Sequence, residues 1–144
     1  MRRLGALLAL ISLVVLAAPA LAALPKRGVY IDTKLQIYVT VGASRTAVTA
    51  MNAVCVRTLP NRTVQGTGAF SLPKTKRPKI SSSGAFSYKG NVTLITGTRS
   101  VVPVEIKGKF ANGKLKGSVK FDAAKTGCEP YTFSGKNYGV NPQG

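Results

Sequence analysis

The chain has 144 residues, with 21 lysine and arginine side chains against 4 carboxylates, giving a formal net charge of +17, and it contains no histidine. The missing imidazole excludes a histidine general base, a histidine-containing triad and imidazole metal ligation. The length suits one domain with a real core and leaves none to spare for a second, substrate-binding lobe.

At the start, Arg2 and Arg3 precede an apolar run from Leu4 to Ala18 and small residues around Ala20-Leu21-Ala22. This order predicts a secretory signal peptide over residues 1–22, cleaved after Ala22, and a single mature domain over 23–144. The alternative is an N-terminal membrane anchor, but an anchor needs about 20 strongly apolar residues, and Pro19 interrupts the run. The paired arginines also fit twin-arginine export, although their neighbours Met1 and Leu4-Gly5 and the very hydrophobic core favour ordinary secretion. Losing Arg2 and Arg3 reduces the 21 basic side chains to 19 and the net charge from +17 to +15. Export places Cys55 and Cys128, the only cysteines, in an oxidising compartment that favours joining them. Closing so long a loop is worth on the order of 4 kcal/mol in the chain-entropy model. The other reading is two buried free thiols.

From Val29 to Val41 the odd positions are apolar or β-branched, a period of two that predicts a strand with one buried face. Gly42-Ala43-Ser44-Arg45 reads as a turn into a second extended run, Thr46 to Arg57. Ala47 to Ala53 has a short helix as its alternative, because Ala and Met favour one. Between Leu59 and Ile80, several Pro and Gly residues and the basic run Lys74-Thr75-Lys76-Arg77-Pro78-Lys79 predict a solvated, mobile loop with a short strand near Val64 to Phe70. Gly84 to Tyr88 and Val92 to Thr96 read as a hairpin turning at Lys89-Gly90-Asn91.

The strongest local signal follows, where Val104 to Phe110 and Leu115 to Phe121 flank Ala111-Asn112-Gly113-Lys114. Asn-Gly between alternating runs marks a two-residue hairpin loop. That loop opposes Phe110 with Leu115, Ile106 with Val119 and Val104 with Phe121, all apolar, so the register checks itself. On the outer face it opposes Glu105 with Lys120, which is favourable. It also opposes Lys109 with Lys116, which costs stability unless water or an anion separates them. Gly108 meets Gly117 on the inner face, leaving room for a large side chain from elsewhere or for a bend. Tyr131 to Ser134 alternates again, and residues 137–144 read as a frayed tail. Roughly six to nine short strands with hairpin-length turns predict an all-β antiparallel meander. Closed or nearly closed into a small β-barrel, it would have no sticky edges, and a two-sheet β-sandwich is the alternative.

The order of landmarks resembles a group of small secreted β-rich proteins of actinobacteria that have no assigned biochemical function. The residues that carry the resemblance are Gly28-Val29-Tyr30, Cys55, Ile80 through Gly84-Ala85-Phe86, Gly108-Lys109-Phe110, Gly117-Ser118-Val119-Lys120-Phe121 and Gly127-Cys128. Such relatives often carry a tryptophan in the last strand, where this chain has Phe133 nearby. The resemblance implies secretion and a β fold, and it supplies no catalytic residues.

Two short motifs evoke penicillin-interacting serine enzymes, Ser71-Leu72-Pro73-Lys74 and Lys125-Thr126-Gly127. Their chemistry needs Ser and Lys one helical turn apart, and Pro73 argues against that helix. A hydrolase acting on the cell wall would draw its acids from Asp32, Glu105, Asp122 and Glu129. It ranks below the non-enzymatic readings. No metal-ligand cluster or cofactor motif is present in the sequence, so no metal and no cofactor are expected. Asn61-Arg62-Thr63 and Asn91-Val92-Thr93 match the glycosylation acceptor pattern.

Charge is the remaining lead. Lys107, Lys109, Lys114, Lys116 and Lys120 form a ridge on one outer hairpin face, suited to an anionic cell-wall polymer or lipid surface. The bland reading is that these lysines keep a secreted protein soluble and blunt exposed edges. Nucleic acid is set aside as a specific partner because Phe110 and Phe121 point inward, leaving the ridge without interleaved aromatics. The expectation is a non-enzymatic, secreted or envelope-associated anion-binding domain, with an apolar ligand inside the barrel as the alternative.

Overall fold

The computed structural model describes residues 24–61 and 64–140, omitting the side chains of Val64 and Gln65. The expected leader over 1–22 and the last four residues of the expected tail lie outside the described residues. Eight strands follow one another as an antiparallel meander: β1 (Gly28–Asp32), β2 (Ile37–Val41), β3 (Val48–Thr58), β4 (Val64–Ser71), β5 (Ala85–Ile95), β6 (Arg99–Ala111), β7 (Lys114–Phe121) and β8 (Tyr131–Asn137). Pairing of β1 with β8 closes them into a barrel. A single helical turn, α1 (Ala123–Thr126), lies between β7 and β8. The expected all-β meander is therefore realised as one closed ring and not as two packed sheets.

The run from Val29 to Val41 is two strands where the sequence suggests one. Asp32 is the reason: its Oδ1 accepts the backbone N–H groups of Lys34 at 2.9 Å and Leu35 at 3.1 Å. Gln36 then takes φ of 54° and the chain reverses. The buried positions are even in β1, with Tyr30 and Asp32, and odd in β2, with Ile37, Val39 and Val41. An odd-position pattern running through both strands thus reads one face correctly and the other inverted.

Residues 48–58 are extended throughout, so the helix alternative fails. Register shifts at Thr40/Val41 and at Cys55/Val56 explain why this strand lacks clean alternation. At the second shift two successive residues, Cys55 and Val56, are both buried. Beyond β4 the basic run is pinned at both ends: Leu72 N–H bonds Met51 O at 3.0 Å, Val48 N–H bonds Pro78 O at 2.9 Å, and Ile80 N–H bonds Thr46 O at 2.8 Å. The mobile loop suggested by its composition is anchored by the burial of Leu72 and Ile80.

No turn forms at Lys89-Gly90-Asn91. β5 runs straight through it, paired with β6 from Ala85↔Lys109 to Ile95↔Arg99. Gly90 makes space: a Cβ there would lie 2.8 Å from the Tyr88 hydroxyl, which donates to Asn91 O at 2.8 Å. The reversal comes at Gly97, with φ of 91°. The β6–β7 hairpin has the expected register, including Val104↔Phe121, Gly108↔Gly117 and Phe110↔Leu115. Asn112 and Gly113, at φ of 51° and 71°, form the left-handed pair that a type I′ loop requires.

The paired glycines are filled from the neighbouring strands. A Cβ on Gly108 would overlap the Phe86 ring, and one on Gly117 would overlap Phe133. These rings join a continuous apolar interior in which Tyr30 and Phe86 pack on Phe110, with ring centroids 4.8 Å and 5.4 Å apart. Phe70 meets Phe121 edge-on at 5.4 Å. Val39, Ile106 and Val119 are 0% exposed, so no water-sized gap touches them.

Ladder pairing is thin at two places on opposite sides of the ring. β1 meets β8 at Tyr30↔Asn137 and Ile31↔Lys136, and β4 meets β5 only from Ala69↔Ile95 to Ser71↔Thr93. Hydrogen bonds of Val29 with Tyr138 and Gly139 lengthen the first seam, so the chain stays paired past Asn137, where fraying is expected from sequence. The β1–β4 and β5–β8 halves are further clasped by long-range contacts. Asp32 Oδ2 accepts Ser134 N–H at 2.8 Å, Tyr131 donates to Val54 O at 2.8 Å, and Cys55 is bonded to Cys128. Burial pushes the Tyr131 phenol well above its ordinary pKa, keeping it a donor.

Candidate functional site: a lysine-lined depression on the outer face

Alternation along β5–β8 sends apolar side chains inward and leaves lysines, serines and threonines outside. Their registers set these residues in rows across the strands. One row is Ala85, Lys109, Lys116 and Ser134, and the next is Ser87, Lys107, Ser118 and Thr132. Between the rows Phe86, Gly108 and Gly117 face inward, so only backbone lies on the outside between the lysines. The result is an open depression of about 720 Å³ in which Lys107, Lys109 and Lys116 are joined by Lys79 from the anchored loop. Ser81, Ser87 and Ser118 add hydroxyls to its wall.

The electrostatics of the two rows differ. Lys107 is held by Glu105 at 2.7 Å. That hydrogen bond, followed by the charge of the same lysine and those of Lys89 and Lys120, holds the Glu105 carboxyl below its usual pKa. Lys109 and Lys116 face each other directly, and none of the four carboxylates shares their row.

All five lysines of the expected ridge are exposed on this side. Three of them, Lys107, Lys109 and Lys116, line the depression. Lys120 lies one row beyond Lys107 opposite Glu105, and shares a second, shallow depression with Lys89. Lys114 sits at the other end of the hairpin beside Lys136. Sequence reasoning missed Lys79, whose place depends on a bridge to Ala47 across a long loop. It also missed the serines, which carry no spacing signal of their own.

The residues weighed for enzymatic chemistry are engaged elsewhere. Asp32 is buried under three backbone N–H groups. Asp122 pairs with Lys125 at 3.7 Å, and the Glu129 carboxylate accepts Thr58 N–H and Oγ1 at 3.3 Å and 2.7 Å. Ser71 ends a strand and donates to Asn52 Oδ1 at 2.6 Å, while Lys125-Thr126-Gly127 belongs to α1 and its left-handed cap. Cys55 and Cys128 form a disulfide and both are 0% exposed. Among the described residues, no helix is long and apolar enough to cross a membrane.

Fold and surface together define a closed eight-stranded meander with an apolar interior and a cationic outer face. No protein-family model, curated protein or solved structure matches the chain.

Proposed function

We propose that the chain is an exported, non-enzymatic protein whose outer β5–β8 face binds anionic polymers of the cell envelope or its surroundings. The observation that carries this reading is the Lys109–Lys116 pair. Two ammonium groups on opposed positions of adjacent strands repel each other, and an anion between them turns that repulsion into attraction. Lys79 and Lys107 extend the same positive field, and the serines offer donors to anionic oxygens. The buried disulfide accords with an oxidising compartment. The closed surfaces of Val39, Ile106 and Val119 turn attention from the interior to the exterior.

A labelled heparin titration across a salt series tests the reading. Binding is expected to be tightest at low ionic strength and to weaken steadily as salt screens the lysines. Lys109→Ala with Lys116→Ala should lower affinity roughly tenfold, the size of two contacts of about 0.7 kcal/mol each. Glu105→Gln should raise it about two- to fivefold by freeing Lys107, within the range for one exposed ion pair. Lys116→Glu should weaken binding while stabilising the fold by about 0.5–1 kcal/mol, since it makes the cross-strand pair attractive. Absence of binding at low salt, or an undiminished affinity in the double alanine variant, would refute the proposal.

A further inference from the structure

The lysine-lined depression does not end at β7. Lys116 and Gly117 also border a third depression, of about 850 Å³, which continues over β8 towards the turn between β1 and β2. One transverse track therefore crosses four strands, from Lys79 at one end to Lys34 at the other. At an inter-strand spacing of about 4.8 Å, four strands and their flanks give a track roughly 20 Å long. That is room for several units of a linear polymer, where a single small anion would occupy one row.

The two halves differ in chemistry. The first has four lysines and no carboxylate. The second sets Lys34 and the shared Lys116 against the carboxylates of Asp32 and Glu129, so its charges balance, and it adds the hydroxyls of Thr132 and Ser134 and the apolar surfaces of Leu35 and Pro130. A polymer charged at every unit would meet Glu129 and gain little from Leu35 and Pro130. A sugar chain in which acidic and neutral units are mixed satisfies both halves, since its hydroxyls pair with Thr132 and Ser134 and its C–H faces rest on Leu35 and Pro130. Building on the anion-binding function proposed above, we propose that the preferred ligand is an acidic polysaccharide, with its charged groups on Lys107, Lys109 and Lys116 and a neutral stretch over β8.

The test uses the oxidised mature chain and three probes: a polysaccharide alternating uronate and uncharged sugar, inorganic polyphosphate, and vesicles of anionic phospholipid. Leu35→Ala with Thr132→Ala is expected to weaken the polysaccharide at least fivefold and polyphosphate less than twofold, with thermal melting used to confirm folding. As a second variant, Thr132→Arg adds an unbalanced cation to the half over β8. It should raise the affinity for polyphosphate and lower that for the polysaccharide. Equal loss for both probes, a polysaccharide affinity raised by Thr132→Arg, or tighter binding of polyphosphate or vesicles than of the polysaccharide by the unmodified chain would overturn the polysaccharide assignment while leaving anion binding intact. Failure of all three probes at low salt would remove both.

Discussion

Asp32→Ala is expected to lower the unfolding free energy by about 3–5 kcal/mol, because it leaves three backbone donors without their acceptor inside the protein. Asp32 is only 8% exposed, and its two carboxylate oxygens act in different places. Oδ1 holds the Lys34 and Leu35 amides in the turn, and Oδ2 holds Ser134 across the ring closure. Bonds to an ionised acceptor are stronger than neutral ones, so each contributes more than an ordinary turn hydrogen bond. Asp32→Asn keeps one acceptor oxygen, serving either the turn or β8, and is expected to cost roughly half as much. Urea unfolding of the three proteins measures both values. A loss below about 1 kcal/mol for the alanine variant would mean that water replaces the carboxylate without penalty.

Removing the Cys55–Cys128 bond comes next in size. Its cysteines are 73 positions apart, and a loop of that length corresponds to about 4 kcal/mol of lost unfolded-state entropy. Paired Cys55→Ala and Cys128→Ala substitutions should therefore lower the unfolding free energy by about 4 kcal/mol, a large part of the roughly 5–15 kcal/mol typical of a domain, and move the urea midpoint down accordingly. Since both sulfurs are buried, reductant should act on the native protein only as fast as the fold opens. An unchanged midpoint in the double variant, or immediate reduction under native conditions, would contradict this account.

The β6–β7 hairpin was legible to the last pair, because Asn112-Gly113 fixes the loop and the apolar residues on either side agree on one register. The first hairpin was not. Asp32 forms its turn through side-chain bonds to the backbone, while the flanking residues continue an apparently unbroken odd-position pattern. Gly90 was misread because a glycine that makes room for a tyrosine and a glycine that turns the chain look alike in one dimension. In the site, Lys107, Lys109 and Lys116 followed from strand alternation alone. Lys79 did not, since only the non-local pairing of 78–80 with the β2–β3 turn brings it there.

The two thin seams give the barrel a natural place to be opened. They divide the ring into β1–β4 and β5–β8, and the connection between these halves includes the exposed segment from Lys74 to Arg77. Each half keeps its own consecutive hairpins and one end of the disulfide. A backbone nick within 74–77 would thus leave two fragments still joined covalently through sulfur. The same segment is the site where new termini, or an inserted domain, would disturb the strand ladders least.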